Sequence, residues 1–149
     1  MIRDEIVILM AEDDDGHAYL VQENLKEAGI INGVFHVSNG QETLDFIHAR
    51  GAYSSRVPNG PLLLLLDINM PLVDGIEVLR QLKQEPDTSQ IPIIMLSTTD
   101  NPHEIQRCYE LGCSSYITKP VEYEKFVEAI RTLGLFLAIV KLPREDVQK

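Results

Sequence analysis

Short, almost wholly apolar runs alternate along this chain with longer stretches in which apolar residues recur every three or four positions. The first run, residues 6–11 (IVILMA), is β-branched and stops at charge, as expected of a parallel strand covered on both faces. The runs Val34–Val37, Leu62–Leu66, Ile91–Leu96 and Ser115–Thr118 repeat it. Helical spacing fills the intervals: Ala18, Val21 and Leu25; Leu44 and Ile47; Ile76, Leu79 and Leu82; Ile105, Tyr109 and Leu111; Phe126, Ile130 and Leu133. Strict alternation of five strands with five helices predicts an α/β fold, a doubly wound parallel sheet joined by right-handed crossovers.

Turn-forming residues agree with these boundaries. Gly29, Gly33, Gly112 and the cluster Pro58-Asn59-Gly60-Pro61 fall where helices hand over to strands. The segment Arg50 to Pro61 has no apolar periodicity and is expected to be a long surface excursion before the third strand. Repeats, low-complexity tracts and a linker to a second domain are not evident in the pattern.

Composition narrows the function classes. A chain of 149 residues with 44% hydrophobic content is the size of one domain and can bury a core. Its 13 basic and 23 acidic residues leave a formal charge of −10, which opposes both nucleic-acid phosphates and anionic lipid, so neither nucleic acid nor membrane is an expected partner. The apolar runs near both ends are far shorter than the ~20 residues a bilayer span requires. Cys108 and Cys113 lie close together rather than spread as a disulfide framework; they read as small buried side chains in a cytoplasmic protein. His17, His36, His48 and His103 share no ligand spacing and read as surface or packing residues.

Chemistry gathers where the apolar runs stop. In an open parallel sheet the ligand site lies outside the carboxyl ends of the strands, and those ends carry Glu12-Asp13, Asp67, Ser97-Thr98-Thr99 and Lys119-Pro120. With strand order 2-1-3-4-5, Glu12, Asp13 and Asp67 converge. Three adjacent carboxylates repel, so protons or a cation must sit among them, and Mg²⁺ suits a hard, oxygen-only site. A phosphorylated carboxylate needs charge neutralised on its phosphoryl oxygens, which Mg²⁺, the Lys119 ammonium and the Ser97 hydroxyl can supply. Asp14, Asp15 and Asp74 have a plainer reading as helix caps.

In ILMAEDD, LLLLLDINMPLVDG, IPIIMLSTTD and YITKP the chain resembles the receiver domain of two-component response regulators, from about Ile6 to Leu142. The resemblance implies a flavodoxin-like sheet and one receiver domain over residues 1–149, with a core about 6–142 and no output domain. It implies Asp67 as phosphoacceptor, Glu12, Asp13 and Asp67 as the acids serving Mg²⁺, and Asn69 lending its backbone carbonyl. It implies Ser97 as switch hydroxyl with Thr98 beside it, Lys119 against the phosphoryl group, Pro120 after a cis peptide, and Tyr116 as an aromatic rotamer switch. Met70-Pro71 and Asp74-Gly75 resemble the loop into the third helix, Gly75 supplying backbone freedom. The long loop before strand three, the STTDN run and the extended last helix are most similar to the single-domain cyanobacterial phytochrome response regulators. Asp15, where that subgroup often has proline, and Leu62, where an acid is common, depart from it.

The implied protein is a signalling phosphoprotein, not an enzyme on other substrates. It would take its phosphoryl group from a sensor histidine kinase, of phytochrome type in that subgroup, and signal to a downstream protein or phosphotransfer partner. A phosphatase using an aspartyl-phosphate typically carries a second acid two residues after the nucleophile, where this chain has Asn69. A docking module without phosphoryl chemistry would leave the set Glu12, Asp13, Asp67, Ser97 and Lys119 without a purpose. Apolar residues from Phe126 to Leu142 exceed what one helix face can bury, which predicts a homodimer through Phe136, Ile139 and Val140.

Overall fold

Five parallel strands form one sheet in the order β2-β1-β3-β4-β5: β1 (Val7–Ala11), β2 (Val34–Val37), β3 (Leu62–Leu66), β4 (Ile93–Ser97) and β5 (Ser115–Thr118). The computed structural model describes residues 7–27, 34–58, 61–120 and 122–137, with side chains as far as Leu133. Its helices are α1 (Asp15–Glu27), α2 (Gly40–Ile47), α3 (Gly75–Gln84), α4 (Pro102–Leu111) and α5 (Tyr123–Leu137). None of the described helices is long and apolar enough to cross a membrane.

Strand periodicity sorts the core into two layers. Leu9, Ala11, Leu62, Leu64, Leu66, Ile93 and Met95 face α2, α3 and Cys108 of α4. Ile8, Met10, Leu63, Leu65, Ile94 and Leu96 face α1 and α5 through Ala18, Val21, Leu25, Phe126, Ile130 and Leu133. All five leucines of β3 are buried, which is why that strand shows no polar alternation at all.

The helix ends follow local chemistry. The carboxylate of Asp14 accepts from the His17 N–H, Asn39 caps α2 through Glu42, Asp74 caps α3 through Glu77, and Asn101 caps α4 ahead of Pro102 at its first turn. Gly112 ends α4 at φ 108°, its N–H bonded to the carbonyls of Cys108 and Tyr109, as its place in the pattern predicts.

Several expectations need correction. β4 begins at Ile93 rather than Ile91, because Pro92 has no N–H to give a ladder and Ile91 closes a turn onto Thr88. The segment after α2 is not a bare excursion: it winds into a 3-10 turn at Gly51–Tyr53, and Tyr53 packs edge-on against Phe46. On α4 the buried side chain is Cys108, whereas Tyr109 stays exposed with its hydroxyl accepting the Tyr116 N–H. Gly75 has no positive φ; it is required because a Cβ there would sit 2.1 Å from the Asp67 carbonyl oxygen. The described peptides are all trans, Lys119–Pro120 included, trans being the default of such a bond by about 0.5–1 kcal/mol.

Candidate functional site

Backbone registry brings the strand ends together. The Asp67 N–H donates to the Ala11 carbonyl at 3.0 Å, the Glu12 N–H to Val37 at 3.0 Å, and the Lys119 N–H to Ser97 at 2.6 Å. Each chemically equipped residue therefore sits one step beyond the last rung of its strand, at the same edge of the sheet.

Carboxylate oxygens of Glu12, Asp13 and Asp67 lie within 4.8 Å of one another. Glu12 and Asp67 are buried, and Asp13 is exposed. The buried Lys119 ammonium bonds Glu12 Oε1 and stands 3.8 Å from Asp67 Oδ2. One ammonium against three carboxylates leaves the cluster short of positive charge, and the effect shows at Asp67. Burial first, and then the hydrogen bond with Glu12, push its carboxyl up to about 7 against the opposing pull of Lys119 and the Asn69 N–H. An all-oxygen donor set with one exposed acid, arranged so that a buried carboxyl holds its proton until charge is supplied, fits a hard divalent cation such as Mg²⁺.

Ser97 is fully buried at the end of β4, its Oγ accepting from the Thr99 N–H at 3.3 Å. The adjacent Thr98 is exposed. Tyr116 is half-buried on β5 and donates its hydroxyl hydrogen to the Thr99 carbonyl at 2.9 Å, with Ser97 a further polar neighbour. That loop, from Ser97 to Thr99, therefore meets the Lys119 N–H through the Ser97 carbonyl and the Tyr116 hydroxyl through the Thr99 carbonyl.

A family model described as response regulator receiver domain matches residues 8–131. The chain belongs to that family. The receiver is 36% identical over 139 residues to the response regulator Rcp1 of Synechocystis sp., covering 92% of each chain. The solved Mn²⁺-bound form of Rcp1 superposes with a TM-score of 0.84 at 34% identity, covering 92% of this chain and 98% of that one. A receiver domain from Rhodospirillum rubrum is 44% identical with a TM-score of 0.84, over 93% and 97% of the two chains. The phosphorylated cyanobacterial phytochrome response regulator RcpA is 30% identical with a TM-score of 0.85, over 95% and 99%.

In this receiver the structure gathers Glu12, Asp13, Asp67, Lys119 and the Asn69 N–H, with Ser97 and Tyr116 along the β4–β5 side. Pro120, half-buried, directly follows Lys119. Ile139 and Val140 lie outside the described residues, as does the side chain of Phe136.

Two histidines that read as surface or packing residues in the sequence lie against residues of this cluster. His17 Nδ1 is 3.4 Å from Lys119 Nζ, and its ring meets Phe126 of α5 edge-on at 5.4 Å between centroids. His36 Nε2 is 2.7 Å from the Glu12 carbonyl oxygen. One signal pointed to His36: it lies one residue before the end of β2, and in the order 2-1-3 that end borders the acid cluster.

Proposed function

We propose that this receiver accepts a phosphoryl group on Asp67 from a phosphohistidine of a sensor kinase and signals through the resulting change of shape. The observation that carries the proposal is the convergence of Asp67 with Glu12, Asp13 and the buried Lys119 at the carboxyl edge of the sheet. A carboxylate oxygen of Asp67 forms a bond to phosphorus, the P–N bond to the imidazole breaks, and the electron pair leaves with the imidazole nitrogen. Bound Mg²⁺ would supply two positive charges to the carboxylates and to the phosphoryl oxygens. Glu12, Asp13 and Asp67, with the Asn69 carbonyl, are the residues assigned to hold it.

Lys119 is assigned to the phosphoryl group as a mobile point charge, able to exchange its bond to Glu12 for one to a phosphoryl oxygen. Ser97 is assigned a third phosphoryl oxygen, with Thr98 next to it. Movement of Ser97 toward that oxygen would disturb its bond from Thr99, and Thr99 holds Tyr116. Ser97 and Tyr116 therefore form a two-step lever from the site to the β4–α4 loop, with Pro120 at the corresponding turn after β5. The relative RcpA, a phytochrome response regulator, supports a phytochrome-type kinase as donor.

The assignment is tested by incubating wild type and Asp67→Asn with a small acyl phosphate and Mg²⁺ and weighing the intact protein. Wild type should gain one phosphoryl mass, and none when the metal is chelated before the phosphodonor is added, and Asp67→Asn none. A phosphoryl mass on the Asp67→Asn variant would defeat the assignment. A homodimer through Phe136, Ile139 and Val140 belongs to the same proposal and is carried by the apolar excess of the last helix. Sedimentation should show a dimer that Phe136→Glu with Ile139→Glu abolishes; a wild type monomeric at ~0.1 mM would refute it.

A further inference from the structure

The Glu12 backbone is held on both sides by β2. Its N–H donates to the Val37 carbonyl at 3.0 Å, and its carbonyl lies 2.7 Å from His36 Nε2. A carbonyl oxygen carries no hydrogen, so Nε2 is the donor, and both the neutral Nε2–H ring and the cationic ring can make this bond.

The position of this bond gives it a consequence. The β1–β2 ladder ends at the pair Ala11 and Val37, so the next peptide unit, joining Glu12 to Asp13, has left the sheet. A peptide unit beyond the last rung ordinarily keeps its plane free to turn, and the His36 side chain replaces the missing rung there. Turning that plane changes ψ of Glu12 and φ of Asp13 together, and so redirects the Asp13 carboxylate.

The three acids depend on this unequally. Glu12 is anchored by Lys119 and by the Asp14 N–H, and Asp67 is walled in by burial and by Glu12. The exposed Asp13 carboxylate has no hydrogen bond or ion pair among the described residues, so only the backbone that carries it and its own side-chain torsions set its direction. We propose that His36 is a positioning residue: by pinning the Glu12–Asp13 peptide it aims the Asp13 carboxylate at the divalent cation shared with Glu12 and Asp67. The inference rests on the cation reading of the acid cluster.

The rule that outer partners of metal ligands are worth 10–100-fold in affinity sets the scale, and an effect passed through one peptide bond belongs at its lower end, about 10-fold. Glutamine carries its amide nitrogen the same number of bonds from the backbone as Nε2 of histidine, whereas asparagine is one bond short. Mn²⁺ alone, without phosphodonor, is titrated into wild type, His36→Gln, His36→Asn and His36→Leu. Free ion is read by electron paramagnetic resonance and metal-free thermal unfolding is recorded beside it. His36→Gln should bind within about two-fold of wild type, and His36→Asn and His36→Leu about 10-fold more weakly, whatever small differences in melting they show. Equal affinity across the four proteins would overturn the role of His36, as would a glutamine variant as weak as the leucine one. If His36→Leu does not fold, the glutamine and asparagine pair decides, and equal affinity of these two overturns the proposal. A wild type that binds no Mn²⁺ at millimolar concentration would instead remove the cation reading, and this inference with it.

Discussion

The two ends of the central strands are built on opposite principles. At the carboxyl edge, Glu12, Asp67 and Lys119 are buried together with more negative than positive charge, and the Asp67 carboxyl is driven up to about 7 as a result. At the other edge, the start of β1 at Val7 borders a cavity of about 300 Å³ lined also by Phe35, Phe46, Tyr53 and Arg56. There the Phe46 ring meets Phe35 at a tilt, 5.3 Å between centroids, and Tyr53 edge-on at 5.2 Å, and the Arg56 guanidinium lies 4.3 Å over the Phe46 ring. Aromatic contacts and a cation on a ring face stabilise without burying a net charge, whereas crowded carboxylates do the reverse until a cation or a proton arrives. The lesson is one of division: the aromatic edge contributes stability, and the acid edge gives some up by holding a buried carboxyl short of positive charge.

That contrast can be broken most directly at Phe46. It is buried and touches Phe35, Tyr53 and Arg56, so Phe46→Ala should cost about 3–5 kcal/mol in denaturant unfolding. Phosphorylation of the fraction that stays folded should be unchanged; a loss below about 1 kcal/mol would mean that the loop collapses to fill the space and that the aromatic edge is no anchor.

At the acid edge the same measurement should move the other way. Asp67 in the folded chain holds its proton up to about 7, whereas the unfolded carboxyl releases it near 3.8. Between these values the folded state binds more protons than the unfolded one, so metal-free stability falls as pH rises from about 4 to about 7 and then levels. Asp67→Asn should remove that slope and raise metal-free stability at pH 8 by roughly 1–2 kcal/mol, less than full linkage because solvent at the cleft screens the charge. Millimolar Mg²⁺ should flatten the wild-type profile and leave the asparagine variant nearly unmoved. A wild type whose stability rises over that window would contradict the charge-excess account.

The smallest effect concerns the loop at the acid edge, where Leu72 sits exposed with φ 70° between Asp67 and α3. A leucine in the left-handed region carries about 1–2 kcal/mol of steric cost. Leu72→Gly should therefore stabilise by about 1 kcal/mol net of the flexibility it adds to the unfolded chain. Unchanged or lowered stability would show that this conformation is not strained.

Most of the architecture is readable from polarity alone, because a strand covered on both faces must be apolar at every position, and β1 and β3 are. Their carboxyl ends then point to Glu12, Asp13 and Asp67, and these converge because the sheet order places strands one and three side by side. The start of β4 is harder to read, because Ile91 and Pro92 extend the apolar run although the proline cannot donate to a ladder. The loop from Arg50 hides its packing because Tyr53 and Arg56 pair with Phe46 over a distance that no periodicity records.

Apolar periodicity and the residues that close each run carry the placement of strands and helices, the caps, and the identity of the acids, lysine and hydroxyl at the sheet edge, because these depend on neighbours along the chain. The remainder depended on contacts between segments far apart in sequence. Gly75 is needed for a 2.1 Å approach to the Asp67 carbonyl and not for an unusual φ. His17 and His36 reach Lys119 and Glu12 across 102 and 24 positions. The raised proton affinity of Asp67 exists only once the ends of β1 and β3 meet and burial takes away much of its water. A one-dimensional pattern records which side a residue prefers, and close approach, shared hydrogen bonds and local dielectric come into being only with the third dimension.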